Sequence, residues 1–434
     1  MALGGGTFVT QNKILPGAYI NFVSASVASE ALSDRGIASM PLELDWGVDS
    51  EVFEVSIKDF TEKTTEIFGY TYDHEKMKGL RELFNNIHTL YAYKLTSGGE
   101  KAKNIYATAK YSGIRGNDLK VIIQKSVDDN QFIVKTLLDT LTVDEQTVNA
   151  AIDLKENDFL TWNTGIDLIV TAATPLEGGI NGVVTGQCHQ NYLNKIEAYA
   201  FNALGVVTTD DNVKSLYTAF TKRLRDDMGI KFQTVLFCHP ADYIGIVNIG
   251  NKILDSGWNE AALVYWVTGV IAGCEVNKSN MNKIYDGVFT IDVDYTQTEL
   301  ENAIKSGKFI LHKVGKDIRV LEDINSLITT TDTLSNDFKS NQVIRVCDQI
   351  GNDIAILFND KYLGAIPNNE AGRISLWSDI VKHHEELQRI GAIEDFSDAN
   401  VIIMQGDNKK TVVISDSITP INAMGKLYMT VTVA

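Results

Sequence analysis

The chain is poor in cysteine. Its 434 residues include four, Cys188, Cys238, Cys274 and Cys347, far apart and without a CxxC pair. That excludes a disulfide-stapled scaffold and reads as isolated reduced thiols of the kind made in a cytoplasm. Proline is scarce too, with 6 residues, and no low-complexity linker or short repeat interrupts the chain. Basic residues are outnumbered, 39 against 56 acidic, for a formal net charge of −17. Such a balance argues against wrapping nucleic acid or lying on an anionic membrane. The most apolar run, residues 261–276, is broken by Thr268, Gly269 and Gly273 and is too short to cross a bilayer. The opening Met-Ala-Leu-Gly-Gly-Gly lacks the basic start and apolar core of a signal peptide.

Catalytic and ligand-binding patterns are lacking as well. There is no GxxxxGK[ST] loop, and the glycine cluster at residues 178–186 has neither the lysine nor GxGxxG spacing, so it reads as a hinge. There is no HExxH. His383 and His384 are adjacent, about 100° apart on a helix, which is the wrong geometry for a shared metal. His384 falls on an apolar stripe and reads as a satisfied core or interface residue. Cys238 and His239 are neighbours on an extended segment, so their side chains point to opposite faces. Asp292-Val293-Asp294 opens like a calcium loop, but Gln297 and Ala303 stand where glycine and glutamate belong. Asp255-Ser256-Gly257 looks like the aspartate motif of a subtilisin-type triad without the His-Gly-Thr or Gly-Thr-Ser that would complete it. No catalytic residue, metal ligand or cofactor is expected.

What is present is the material of a folded, multidomain chain: 44% hydrophobic and 22% charged residues, with length for two to four domains. Residues 18–23 read as a short strand after the turn Pro16-Gly17, and residues 53–55 as another. A helix is expected over residues 74–91, from Met77, Leu80, Leu83, Phe84, Ile87 and Leu90. From about Leu95 the pattern changes to short strands separated by turns, with candidates at residues 105–109, 119–124, 132–138 and 159–162, as in a small inserted β-sandwich. After the hinge, helices near residues 192–203, 213–224, 260–272 and 297–306 alternate with strands at 232–237, 287–292 and 308–314. Such alternation predicts an α/β layer on a largely parallel sheet. Asp210 or Asp211 is a plausible helix N-cap and Gly229 the matching stop.

Beyond Thr329-Thr330-Thr331 a last domain is expected. Residues 341–349 suit a helix. Residues 373–390 form the clearest helix of the chain, with Ile374, Trp377, Ile380, Val381, His384, Leu387 and Ile390 on one face and Asp379, Lys382, His383, Glu386 and Arg389 away from it. Strands at residues 401–404 and 411–415 flank a turn at Gly406-Asp407-Asn408. Finally Leu427, Met429, Val431 and Val433 lie on one side and Thr430 and Thr432 on the other, which is the period of a half-buried strand. Two firm strands make a marginal sheet, so this domain needs further strands. The final segment either closes its own sheet or pairs with a neighbour.

Several segments resemble contractile-tail sheath proteins of phages and phage-tail-like (R-type) bacteriocins of Gram-positive hosts. They are Gly5-Gly6-Thr7, Gln11-Asn12-Lys13 and residues 16–22 at the start; Asn341-Gln-Val-Ile-Arg345 with Asp348-Gln-Ile-Gly351; and Tyr362-Leu-Gly364 with Asn368 and Gly372-Arg373. The match continues through residues 391–396 and 419–424 to Lys426-Leu-Tyr-Met-Thr430. Weaker colinear matches at residues 229–233 and 267–273 extend it over essentially the whole chain.

The resemblance implies an α/β plus β, multidomain chain. Residues 1–24 would be an extended arm, residues 25–96 and 179–328 a subtilisin-like but non-catalytic sheath domain, and residues 97–178 the inserted β-sandwich. Residues 329–424 would be an inner C-terminal α+β domain completed by neighbours' strands, and residues 425–434 a strand arm. It implies a structural subunit, not an enzyme, that polymerises around a tail tube and contracts. Partners would be further copies in stacked hexameric rings, the tube protein, and baseplate and tail terminator proteins, with no nucleic acid and no membrane insertion. Assembly would take place in the bacterial cytoplasm. Tyr19, Ile20 and Phe22 would serve the N-terminal exchange, Leu427, Tyr428, Met429, Val431 and Val433 the C-terminal one, and Lys382, Glu386 and Arg389 the tube. Two rival readings come from other classes: an α/β hydrolase or protease using Ser256 or Cys238, and a non-contractile capsid or baseplate protein.

Overall fold

The computed structural model describes residues 32–127 and 131–433. The chain forms two compact units, one of residues 34–352 with 420–434, the other holding residues 353–419. The expected strand over residues 18–23 lies outside the described residues.

The larger unit is built on a seven-stranded sheet. Its order is Lys308–Phe309, Ile246–Ile249, Gln233–Phe237, Ala203–Gly205, Ile37–Leu42, Thr89–Lys94 and Val52–Ser56. Every neighbouring pair is parallel except the last, where Val52–Ser56 runs antiparallel to Thr89–Lys94. Parallel strands are buried on both faces, and the side-chain period shows it. Ala38, Met40 and Leu42 enter one core together with Val235, Phe237 and the helices Lys78–Phe84 and Val264–Gly273. Leu204, Leu236 and Ile246 enter the opposite core with Tyr192, Tyr217 and Phe220 of the helices Gly186–Ile196 and Asp211–Lys222. Ser39, on that second face, hydrogen-bonds Tyr192 Oη inside the protein at 2.5 Å. Asp210 caps the Asp211–Lys222 helix by accepting from Asn212 N, and Gly229 follows at φ +79°.

The inserted region is a four-stranded antiparallel sheet, Leu141–Val148, Phe132–Leu138, Leu119–Lys125 and Thr171–Pro175, beside the pair Ala107–Ala109 and Leu160–Trp162. Leu119, Val121, Ile123, Val134, Leu160 and Trp162 form its own core. Leu141–Val148 is not evident in the sequence because Asp144, Glu145 and Gln146 give this edge strand no apolar alternation.

Three expectations are corrected. The helix expected over residues 74–91 stops at Phe84, and Thr89–Lys94 is instead a strand of the sheet, second from its edge. Leu90 falls on the helical period by coincidence, while its β-prone neighbours Thr89, Tyr91 and Tyr93 pair along Ile37–Leu42. Residues 287–292 form no strand; they touch another extended segment only through the isolated bridge Ile253–Ile291. The helix expected at residues 341–349 runs on as Asn341–Leu357.

Candidate assembly surfaces

In the 353–419 unit the helix Glu370–Arg389 packs on the hairpin Val401–Gln405/Val412–Asp416. Asn369 caps the helix through Gly372 N. Leu376, Ile380 and Val381 meet Val401, Ile403 and Val412, and Trp377 Nε1 donates to the Val401 carbonyl at 3.0 Å. The register places Ile402, Met404 and Val413 on the other face of the hairpin, where all three are exposed. The hairpin is a two-stranded sheet, so among the described residues neither outer edge has a partner strand. Such an edge offers a row of unpaired backbone donors and acceptors.

Asp379 and His383, expected away from the apolar face of the helix, are buried. Partners account for this. Asp379 accepts from Lys361 Nζ at 2.7 Å and from the Tyr362 hydroxyl. His383 Nε2 meets Asp353 Oδ2 at 3.0 Å, its Nδ1 lies 3.2 Å from His384 Nδ1, and His384 Nε2 meets Asp416 Oδ2 at 2.7 Å. One Nδ1 donates and the other accepts, so the two rings are joined through a single proton. Ile374, expected on the apolar face, is exposed. Lys382 and Arg389 are exposed and Glu386 is half-buried; Arg389 grips Glu386 with two contacts of 2.6 Å and holds its carboxyl below the usual range.

The C-terminal segment takes no strand partner within the described chain. Ala423 N donates to Gln342 Oε1 at 3.0 Å, and residues 421–433 then run on outside any helix or strand. Leu427, Tyr428, Met429, Val431 and Val433 are all exposed, Tyr428 at 89%. The local alternation expected of a strand is therefore present, while among the described residues no sheet takes it up. Tyr19, Ile20 and Phe22 lie outside the described residues.

A half-open crevice of about 530 Å³ lies at the carboxyl ends of Ile37–Leu42 and Thr89–Lys94, where α/β enzymes place ligands. Its polar groups answer one another. Asp45 accepts from Tyr70 Oη at 2.7 Å, from Asn181 Nδ2 at 2.8 Å and from Lys76 Nζ. Burial raises that carboxyl, but these donors outweigh burial and hold it below the ordinary range. Burial, then Asp45, pushes the Tyr70 hydroxyl up to about 12. Trp258 Nε1 donates to Glu75. Asp255, beside Ser256, is taken by Lys78 Nζ at 2.6 Å and Thr290 N at 2.7 Å. Burial pushes the Cys238 thiol up, the opposite of an activated nucleophile. Among the described residues no group of three or more metal-ligating side chains converges, and no helix is long and apolar enough to cross a membrane.

Three phage tail sheath family models match this chain in succession. The phage tail sheath protein β-sandwich domain matches residues 88–181, the phage tail sheath protein central domain residues 182–326, and the phage tail sheath C-terminal domain residues 333–434. The chain is 29% identical to the phage-like element PBSX protein XkdK of Bacillus subtilis, over 99% of this chain and 100% of that one. It superposes on the crystal structure of a sheath tail protein from Desulfitobacterium hafniense with a TM-score of 0.82 and 33% identity, covering 94% of this chain and 97% of that one. The helical sheath of the anti-feeding prophage in its contracted state shares the fold at 12% identity, TM-score 0.57, over 97% of this chain and 99% of that one.

Proposed function

Because the chain belongs to the phage tail sheath protein family, we propose that it works as a contractile sheath subunit stitched to its neighbours by exchanged strands. The observation that carries this reading is the pairing of two incomplete features. Among the described residues a two-stranded hairpin has no partner strand on either edge, and a period-two segment, residues 427–433, has its apolar side chains exposed. Each strand lent by a neighbour contributes backbone hydrogen bonds of roughly 0.5–1.5 kcal/mol net apiece. Burial of Leu427, Met429, Val431 and Val433 adds about 25 cal/mol per Å² of apolar surface.

In this reading residues 1–24 and 425–434 are the exchanged arms, with Tyr19, Ile20 and Phe22 on the first and Leu427, Tyr428, Met429, Val431 and Val433 on the second. The seven-stranded sheet with its helices is a subtilisin-like body without catalytic work, and the β-sandwich faces outward. The 353–419 unit faces a tail tube through Lys382, Glu386 and Arg389. Screened surface charges form weak contacts, which suits a surface that must let the tube go. Subunits assemble as stacked hexameric rings in the host cytoplasm, between baseplate and terminator proteins. Exchanged strands hold neighbours together while the bulk of each subunit rotates and the tube is driven through the target envelope.

The test is deletion of residues 2–16 or of residues 426–434, with negative-stain imaging of the product. Loss of long tubes is expected from either deletion; normal long sheaths from either would reject the exchange.

A further inference from the structure

The 353–419 unit contains a half-open cavity of about 430 Å³ whose lining runs against the composition of the chain. Phe358, Tyr362, Ile366, Leu376 and Val412 give it apolar walls, while Arg373, Lys409 and Lys410 stand in its lining with no aspartate or glutamate. In a chain with 56 acidic and 39 basic residues, three basic residues lining one cavity without an acid require a reason. The ion pairs of this unit among the described residues engage Lys361, His383, His384 and Arg389, and leave these three out.

Asn368 organises the opening. Its Nδ2 donates to the carbonyls of Lys409 and Thr411 at 3.0 and 2.9 Å, and its Oδ1 accepts from Arg373 Nη1 at 2.9 Å. One side chain thus holds the lysine-bearing turn and the guanidinium against the same space. The Arg373 contacts to Asn368 all use Nη1, so Nε and Nη2 remain for a ligand. Gly372 lets the preceding loop close in, since a Cβ there would stand 2.1 Å from the Pro367 carbonyl oxygen.

We propose that this cavity seats an acidic peptide segment, flanked by apolar residues, from a second copy of the chain. A carboxylate matches the guanidinium fork and the two ammonium groups, and an apolar neighbour in the segment covers the aromatic and aliphatic wall. An inorganic anion would have no use for that wall, and a purely apolar peptide none for the cations. The second copy is the source because a chain of net charge −17 offers carboxylates wherever two copies meet. The inference rests on the reading that copies assemble side by side, and it names a contact separate from the exchanged strands.

Particles assembled from a mixture of 14N and 15N chains, joined by a carbodiimide that links lysine to carboxylate, provide the test. Lys409 or Lys410 is expected in cross-linked peptides that pair one light with one heavy chain. A Lys409→Glu/Lys410→Glu variant is expected to keep its unfolding midpoint and to need about tenfold more protein to assemble. Particles in which these lysines link only within a chain, only to a tube protein, or not at all would overturn this inference and leave strand exchange standing. Failure of the unaltered chain to assemble at all would overturn both.

Discussion

Arg225 meets Asp348 through both terminal nitrogens, Nη1 to Oδ2 at 2.6 Å and Nη2 to Oδ1 at 2.7 Å, and both side chains are buried. The pair ties the π-helical turn Arg223–Asp227 to the helix Asn341–Leu357. Removing one partner leaves the other charge buried and unanswered. Asp348→Ala is therefore expected to cost about 3–5 kcal/mol, while the double replacement Arg225→Met/Asp348→Leu costs less than that single change. Urea unfolding of the three proteins measures both values.

Glu82 and Asp45 have opposite pH dependences. Burial raises the Glu82 carboxyl above its ordinary 4.5, although Oε1 accepts from Tyr285 Oη, Val288 N and Phe289 N; Oε2 has no partner among the described residues. The folded state thus binds that proton more tightly than the unfolded one. Its contribution is complete below pH 4.5 and is lost as pH rises through the folded value. Asp45 is depressed below its ordinary 3.8, so its contribution is present above that pH and lost as pH falls through the folded value. Denaturant unfolding across the acid range should show the first loss disappear in Glu82→Gln and the second in Asp45→Asn.

Gly273 sets two effects against each other. Alanine in a helix interior gains about 0.5–1 kcal/mol over glycine, and Gly273, the last residue of the helix Val264–Gly273, stands to gain no more than that. Here the added Cβ would stand 1.7 Å from the Asn86 carbonyl oxygen, and overpacking costs about 1–3 kcal/mol. The obstacle is backbone, which cannot swing aside, so Gly273→Ala should lower the thermal midpoint. Gly186→Ala, at the start of the Gly186–Ile196 helix with nothing within 4 Å of its Cβ, should leave it unchanged or raise it.

The exposed tail separates subunit stability from assembly. Met429→Asp or Val431→Asp alters surface positions and should shift subunit stability by no more than about 0.5 kcal/mol. Either change places a charge on the apolar face of the proposed exchanged strand. Sedimentation should then show a shift from long assemblies to small species, with the unfolding midpoint unmoved.

Much of the larger unit is legible in the sequence because its elements obey local periods. The capped helix Asp211–Lys222 and the apolar run Gln233–Phe237 show themselves within a dozen residues. Ile246–Ile249 and Thr171–Pro175 do not. The first is four residues long, and the second is an edge strand with little apolar content, so neither presents enough period to be seen. On the helix Glu370–Arg389, Asp379 and His383 read as solvent-facing by residue type. Lys361, Tyr362 and Asp353, which bring them inside, come from other segments and leave no mark on the helical pattern.

The sequence by itself determined the alternation of the final segment, because side-chain direction along an extended backbone is a local matter. It likewise determined the alternating α/β order and the shortage of strands near the end of the chain. Only the tertiary structure decided that Thr89–Lys94 is an interior strand rather than a helix end, that three basic residues line one cavity, and that Leu427 to Val433 find no partner strand among the described residues. Each of these depends on what stands opposite a residue in space, and a one-dimensional pattern records only what stands beside it.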